Sequence, residues 1–62
     1  MKLEVVSLRE ESAGKDRKFY AVVSTKYGNR EVQIDKTRYN RAAPGKRITV
    51  QLREVNAGTV VE

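Results

Sequence analysis

The sequence feature that most constrains the fold is the stretch Phe19–Asp35, in which two runs rich in β-branched and aromatic residues flank the dipeptide Gly28-Asn29. Two-residue hairpin turns favour glycine and asparagine, because both tolerate a positive φ. Folding the runs back at this dipeptide predicts an antiparallel hairpin. The predicted register pairs Tyr27 with Arg30, Lys26 with Glu31, Thr25 with Val32, Ser24 with Gln33 and Val23 with Ile34.

The alternation within this hairpin predicts which face is buried. The β-branched positions share one face, which comprises Val23, Thr25, Val32 and Ile34. The polar positions share the other face, which comprises Ser24, Lys26, Glu31 and Gln33. A slip of one residue would mix the two faces, so the pattern specifies the register strongly.

A strand is also predicted before the hairpin, at Lys2–Glu10, with a change of phase at Val5-Val6. Such a change indicates a bulge or bend that lets one strand serve two halves of a sheet; a strand with both faces partly covered is the alternative. The polar segment Glu11–Arg17 has the composition of a loop and connects this strand to the hairpin.

The second half of the chain predicts a short helix and two strands. Asp35 can cap a helix that runs to Ala43 and ends before Pro44; an irregular loop is the alternative. Arg47–Val55 alternates as a strand, with Ile48, Val50 and Leu52 on one side. A turn at Asn56-Ala57-Gly58, in which Gly58 is able to take a positive φ, then leads to a last strand, Thr59–Val61.

This order predicts an all-β fold: a small five-stranded barrel with one short helix between strands 3 and 4, forming a single domain over residues 1–62. The helix position favours an OB-like barrel, with an SH3-like barrel as the close alternative. The residues predicted to be largely buried are Leu3, Val5, Phe19, Ala21, Val23, Val32, Ile34, Ile48, Val50 and Leu52.

The composition argues against catalysis. The chain contains neither cysteine nor histidine, so thiolate chemistry and the commonest general base and metal ligand are absent. Its eight acidic residues are scattered along the sequence, and no set of them predicts a metal site. We therefore expect a protein that is not an enzyme and has no cofactor. Because the apolar runs are only a few residues long, we expect no membrane span and a cytoplasmic protein.

The charge of the chain is concentrated in its middle. The formal net charge is +5, and the segment Lys15–Arg47 has ten basic and three acidic residues, whereas each flank carries a net −1. A basic segment on a small domain indicates an anionic partner, usually nucleic acid. Solubility is the alternative explanation of the same charge.

Single-strand binding needs cations for phosphates and aromatic rings for stacking bases. The predicted nucleic-acid-binding residues are Lys15, Arg17, Lys18, Tyr20, Lys26, Tyr27 and Arg30. The tyrosines could instead cover the sheet, and Lys26 could pair with Glu31. A second basic group consists of Lys36, Arg38 and Arg41, for which a solvated helix face is favoured over phosphate contact.

The rival functional prediction is a protein-interaction module without a nucleic-acid ligand. The short last strand Thr59–Val61 leaves an edge that can pair with a second chain, so a homodimer through this strand is expected in that case. Such a dimer would also add to the small core that a chain of 62 residues can bury.

The stretches Glu31–Lys36 and Gly45–Val50 resemble small archaeal chromatin proteins, which are basic SH3-like barrels that bind duplex DNA. The resemblance covers about a third of the chain and consists of common strand and turn residues. Those proteins place a helix after the last strand, where this sequence has none, so the resemblance implies fold size only.

Overall fold

The computed structural model describes residues 1–61 and contains a five-stranded antiparallel sheet with two short helices. The strands lie in the order β4-β1-β2-β3-β5. In chain order the elements are β1 (Lys2–Ala13), β2 (Asp16–Thr25), β3 (Gly28–Ile34), α1 (Lys36–Arg41), β4 (Arg47–Thr49), α2 (Leu52–Ala57) and β5 (Thr59–Val61).

The bulge predicted in β1 is confirmed. The register with β2 shifts between Val5 and Ser7, and the residues before the shift pair with β4. The extra residue reverses the phase of the strand, so Leu3 and Val5 before the bulge and Leu8 after it all contact the same core. The first residues of β1 therefore pair with β4, and the rest of the strand pairs with β2.

The predicted loop Glu11–Arg17 is wrong over most of its length. β1 continues to Ala13 and β2 starts at Asp16, so only Gly14 and Lys15 form the turn, with Gly14 at a φ of 63°. Backbone pairing needs no apolar side chain, and a hydrogen-bonded ladder can therefore extend beyond the core. The polar composition indicated solvent exposure correctly but not the backbone conformation.

The β2–β3 hairpin forms with a register different from the predicted one. The turn residues are Lys26 and Tyr27. Each β2 residue pairs with a β3 residue four positions before the predicted one: Val23 pairs with Arg30 instead of Ile34. Gly28 has a φ of 111°, and the Thr25 hydroxyl closes the turn by accepting from the Tyr27 N–H at 3.2 Å and donating to the Gly28 carbonyl.

A shift by an even number of residues leaves every side chain on its predicted face. Val23, Val32 and Ile34 are accordingly buried, as predicted. The predicted pair of Lys26 with Glu31 is wrong, because Glu31 faces Val22 across the strands and binds Arg9 instead.

The predicted helix after β3 is confirmed as α1. Asp35 caps it, with its carboxylate accepting the Arg38 N–H at 3.2 Å. Tyr39 packs on Phe19 with the ring centroids 4.7 Å apart, and this contact attaches the helix to β2.

The predicted strand Arg47–Val55 is wrong beyond Thr49, where the chain turns into α2. The Glu54 carboxylate accepts the Gln51 N–H at 2.9 Å and so caps the new helix. Helical phasing buries Val55 and leaves Leu52 with 62% of its surface exposed, so the predicted burial of Leu52 is also wrong.

The second helix changes the architecture from all-β to mostly β. Within residues 1–61, β4 and β5 are the two edges of the sheet and do not pair with each other, so a closed barrel is not confirmed. The residues that were predicted to lengthen β4 form α2 instead, and this helix lies between β4 and β5 in the sequence.

The core lies on the inner face of the sheet under the two helices. Its buried residues are Val5, Ala21, Val23, Val32, Ile34, Ile48, Val50 and Val55. Seven of the ten predicted core residues are among them, and Leu3 and Phe19 are partly buried against the cluster.

Gly58 has a φ of −74°, so the turn does not use the positive φ that glycine allows. A Cβ atom at this position would lie 2.6 Å from the Glu31 carbonyl oxygen, so glycine is needed there for the close approach of two backbones.

Candidate nucleic-acid interface

The structure divides the predicted nucleic-acid-binding residues between the two ends of β2. Lys15 lies in the β1–β2 turn, whereas Lys26 and Tyr27 lie in the β2–β3 turn. Ten residues of extended strand separate the turns, a span of roughly 30 Å in a molecule whose longest dimension is 35 Å. The predicted residues therefore form two clusters rather than one site.

The first cluster, which we call the hairpin-tip cluster, consists of Lys15, Arg17 and Lys18, all exposed. Arg17 lies 3.5 Å from the Glu10 carboxylate, and the two side chains are 67% and 38% exposed. Lys15 and Lys18 have no ion-pair partner within residues 1–61. These two ammonium groups can contact an anionic ligand without first giving up a carboxylate.

Tyr20 lies on the outer face of β2, as predicted, but one face of its ring is covered. The Arg9 guanidinium lies over it at 4.4 Å from the centroid. Two contacts to Glu31, at 2.8 and 3.2 Å, and one to Glu11 at 3.0 Å hold the guanidinium in place. These hydrogen bonds, above all those to Glu31, raise the pKa of Arg9 further above its ordinary value.

Arg9 was missed by the sequence analysis, and it changes the chemistry of this face. Two carboxylates surround its single positive charge, so the centre of the outer face is not basic. A base that stacked on this face of the Tyr20 ring would have to displace the guanidinium. The signal lay in the strand register: once Arg9 is placed opposite Tyr20, both side chains must point to the same face.

The second cluster consists of Lys26, Tyr27 and Arg30. Tyr27 is 86% exposed at the tip of the hairpin. Arg30 points to the inner face, where its Nη1 donates to the Val55 carbonyl at 3.0 Å and holds the end of α2 against β3. Tyr27 is therefore free to stack, whereas Arg30 has one structural contact and further N–H groups to offer.

The second cluster borders an apolar groove of about 260 Å³. We call it the tip groove; it lies beside the β2–β3 turn, at the opposite end of β2 from the hairpin-tip cluster. Its lining includes Met1, Leu3 and Leu52 in addition to all three members of the cluster. The sequence analysis missed this groove, because it depends on Leu52 lying on a helix.

The second basic group is divided as well. Lys36 and Arg41 are exposed, but Arg38 binds the Glu54 carboxylate through two contacts of 2.7 and 3.0 Å and Asp35 at 2.8 Å. It also donates to the Thr49 carbonyl at 3.1 Å. Arg38 thus joins α1 to α2 and β4, and is committed to the fold rather than to solvent.

The same contacts lower the pKa values of two carboxyl groups. The hydrogen bonds from the Arg38 side chain lower the pKa of Glu54 below its ordinary value. They lower the pKa of Asp35 in the same way. Both groups therefore remain ionised and paired at neutral pH.

The described part of the chain contains no group of three or more acidic side chains placed to hold a metal ion. No helix among residues 1–61 combines the length and the apolar character that crossing a membrane requires.

These observations define a small, mostly β protein with an open antiparallel sheet and two short helices. Comparison of the chain with protein-family models, with curated proteins and with solved structures finds no match.

Proposed function

We propose that this protein is a non-enzymatic module that binds nucleic acid, preferably single-stranded and with little sequence preference. The observation that carries the proposal is that few of the basic side chains are in ion pairs. Within residues 1–61, three arginines form all the ion pairs and bind five carboxylates: Glu10, Glu11, Glu31, Asp35 and Glu54. Ten of the thirteen cations have no ion-pair partner among these residues and are available to phosphates.

The hairpin-tip cluster is the proposed phosphate site, and Lys26 with Tyr27 is a second contact at the far end of β2. A single strand laid along β2 would meet Lys15, Arg17 and Lys18 first and a stacking platform at Tyr27 last. Such an arrangement of cations and one aromatic ring gives binding that depends on the backbone and tolerates any base sequence.

For the fold we propose an OB-like, partly open barrel, with the SH3-like arrangement as the alternative. Support comes from the helix between β3 and β4 and from the bulged β1, which pairs with both β2 and β4. In OB folds, ligands bind over strands 2 and 3 and the loop before them, which is where the hairpin-tip cluster and Tyr27 lie. A nucleic-acid partner is consistent with the cytoplasmic location that we propose.

The test is fluorescence anisotropy with a labelled sixteen-nucleotide thymidine strand and a duplex of equal length, at low and moderate salt. We compare the triple variant Lys15→Ala, Arg17→Ala, Lys18→Ala with a matched control, Lys36→Ala, Arg41→Ala, Lys46→Ala. Both remove three exposed cations. Loss of three phosphate contacts should reduce the slope of log K against log salt by about 2 for the first variant and by less for the control.

Three results would contradict the proposal or its location. No binding at low salt would refute nucleic-acid binding. Equal losses in both triple variants would mean a general charge effect without a site. A larger loss in the control would place the interface on the α1 side. Tyr27→Ala should weaken binding of the single strand more than binding of the duplex. Tyr20→Ala should have a smaller effect on single-strand binding, because Arg9 lies over that ring.

A second candidate function, protein interaction through a homodimer, is supported by the edge strand β5. It pairs with β3 on one side, and its Val60 and Val61 are 59% and 36% exposed. Edge strands of this kind can pair with a second chain. Light scattering over a dilution series tests this candidate: a dimer that Val60→Lys dissociates supports it, and a folded monomer at every concentration excludes it.

A further inference from the structure

We propose that the tip groove is a docking site for an acidic segment of another protein that inserts an apolar side chain. The groove lies at the opposite end of β2 from the hairpin-tip cluster, and it shares Lys26 and Tyr27 with the second contact of the proposed nucleic-acid interface. It is carried by three features of the groove: where the exposed apolar side chains lie, the sign of the charges around them, and the small size of the groove.

The exposed apolar side chains are concentrated at this groove. Six large apolar residues are exposed among residues 1–61, and three of them line it: Met1, Tyr27 and Leu52, which are 54%, 86% and 62% exposed. Single exposed apolar residues are ordinary, but a group of them around one concavity is typical of an interaction site. Each would lose contact with water if a partner side chain filled the groove.

The charged side chains that line the groove are both positive. Lys26 and Arg30 lie on its lining, and no carboxylate does within the described residues. The bond from Arg30 to the Val55 carbonyl fixes the guanidinium and leaves other N–H groups for a partner carboxylate. Charge complementarity therefore favours an acidic partner. In this groove, a second copy of the chain, with its net charge of +5, is a poorer match than an acidic segment.

The walls of the groove favour a protein side chain over a nucleobase. Apart from Tyr27, the apolar lining from Met1, Leu3 and Leu52 presents aliphatic surface, which has no π face on which a base could stack. The volume of about 260 Å³ is below the roughly 300–1,000 Å³ of pockets that enclose small molecules, so the groove suits one or two side chains. Tyr27 at the mouth is one of the residue types enriched at the centres of protein interfaces.

The test is an amide nitrogen–proton NMR titration of the full chain with the peptide acetyl-Glu-Asp-Leu-Leu-Asp-Glu-amide. Two matched peptides carry serine in place of both leucines, or lysine in place of all four acids. We expect saturable shifts at the amides of Lys26, Tyr27, Arg30, Leu52 and Asn56 with the first peptide only. Saturation by the serine peptide would refute an apolar anchor, and saturation by the lysine peptide would refute the charge argument.

Two variants locate the binding. Leu52→Ser and Lys26→Glu alter exposed side chains and should each weaken peptide binding at least about fivefold. The control Lys36→Glu makes the same charge change on α1 and should have a smaller effect. Equal effects of Lys26→Glu and Lys36→Glu, or shifts centred on the hairpin-tip cluster, would overturn the proposal.

A further titration with the thymidine strand separates this inference from the proposed function. Because Lys26 and Tyr27 belong to both surfaces, we expect the strand to shift the hairpin-tip amides and to weaken peptide binding without abolishing it. If it saturates the groove and displaces the peptide, the groove is a nucleic-acid site and the inference fails while the proposed function stands. If the protein binds no oligonucleotide but the peptide still saturates the groove, the proposed function fails while this inference stands.

Discussion

Replacing Glu54 with glutamine should destabilise the fold through two elements at once. The Glu54 carboxylate accepts two hydrogen bonds from Arg38 and one from the Gln51 N–H, so it both joins α1 to α2 and caps α2. A hydrogen bond to a charged group contributes about 1.5–3 kcal/mol when it is sheltered. The side chains of Arg38 and Glu54 are 30% and 21% exposed, and water screens such pairs. We therefore expect a loss of about 1–2 kcal/mol for Glu54→Gln.

A loss of this size is measurable, because a domain of this length has a total stability of about 3–9 kcal/mol. The assay is urea denaturation followed by circular dichroism, in a double-mutant cycle with Arg38→Gln and Glu54→Gln. We expect a coupling free energy of about 1 kcal/mol. The control cycle joins Arg17 and Glu10, whose contact is longer and more exposed, and should show a coupling close to zero.

The pH dependence has a defined sign. The pKa values of Glu54 and Asp35 are lowered in the folded state, from ordinary values of 4.5 and 3.8. Their contribution to stability is therefore complete above those values and is lost as the pH falls through the lower folded pKa values. Arg38→Gln should flatten the acid limb of the stability profile. Additive single losses, or an acid limb that Arg38→Gln leaves unchanged, would refute the assignment of Arg38 to the fold.

Two further substitutions test the packing, each by the same urea assay. Val32→Ala removes two methyl groups from a fully buried site and should cost about 2 kcal/mol or more, and a cost below about 0.5 kcal/mol would contradict its place in the core. Gly58→Ala places a Cβ 2.6 Å from the Glu31 carbonyl oxygen and should cost about 1–3 kcal/mol, whereas Ala57→Ser at the exposed neighbour should be nearly neutral; equal effects would exclude the close approach.

Local side-chain patterns predicted the parts of the fold that depend on alternation and capping. The bulge at Val5-Val6 followed from a change of phase within β1, and α1 followed from Asp35 and Pro44. The buried face of the β2–β3 hairpin followed from period-two alternation. This alternation is blind to a shift by an even number of residues, and the predicted register was wrong by such a shift. The hydroxyl of Thr25 closes the observed turn through two hydrogen bonds, and the alternation of apolar and polar residues does not predict such contacts.

The candidate site was harder to predict, because it depends on distance and on partners. The basic residues of the hairpin-tip cluster and Tyr27 were identified from residue type, but their separation by the length of β2 was not. Residue type also could not distinguish a cation in solvent from one committed to the fold. Arg38 and Arg9 both bind two carboxylates, and one partner of each comes from another element: Glu54 on α2 and Glu31 on β3.

The error at α2 and the groove missed by the sequence analysis have one cause. Ile48, Val50 and Leu52 alternate as a strand would, and continuing β4 would have placed Leu52 with the other two in the core. The chain instead turns at Gln51, where Glu54 caps a helix and simultaneously binds Arg38. Helical phasing then buries Val55 and turns Leu52 outward.

Two consequences follow from that turn. The sheet stays open, because the residues that would extend β4 toward β5 are helical. Leu52 becomes a wall of the tip groove, with Val55 behind it fixing Arg30 through a backbone carbonyl. The capping and bridging role of Glu54 thus connects stability to the proposed docking surface. Weakening the helix through Glu54→Gln should therefore weaken peptide binding in the groove as well, and leave oligonucleotide binding at the hairpin-tip cluster unchanged.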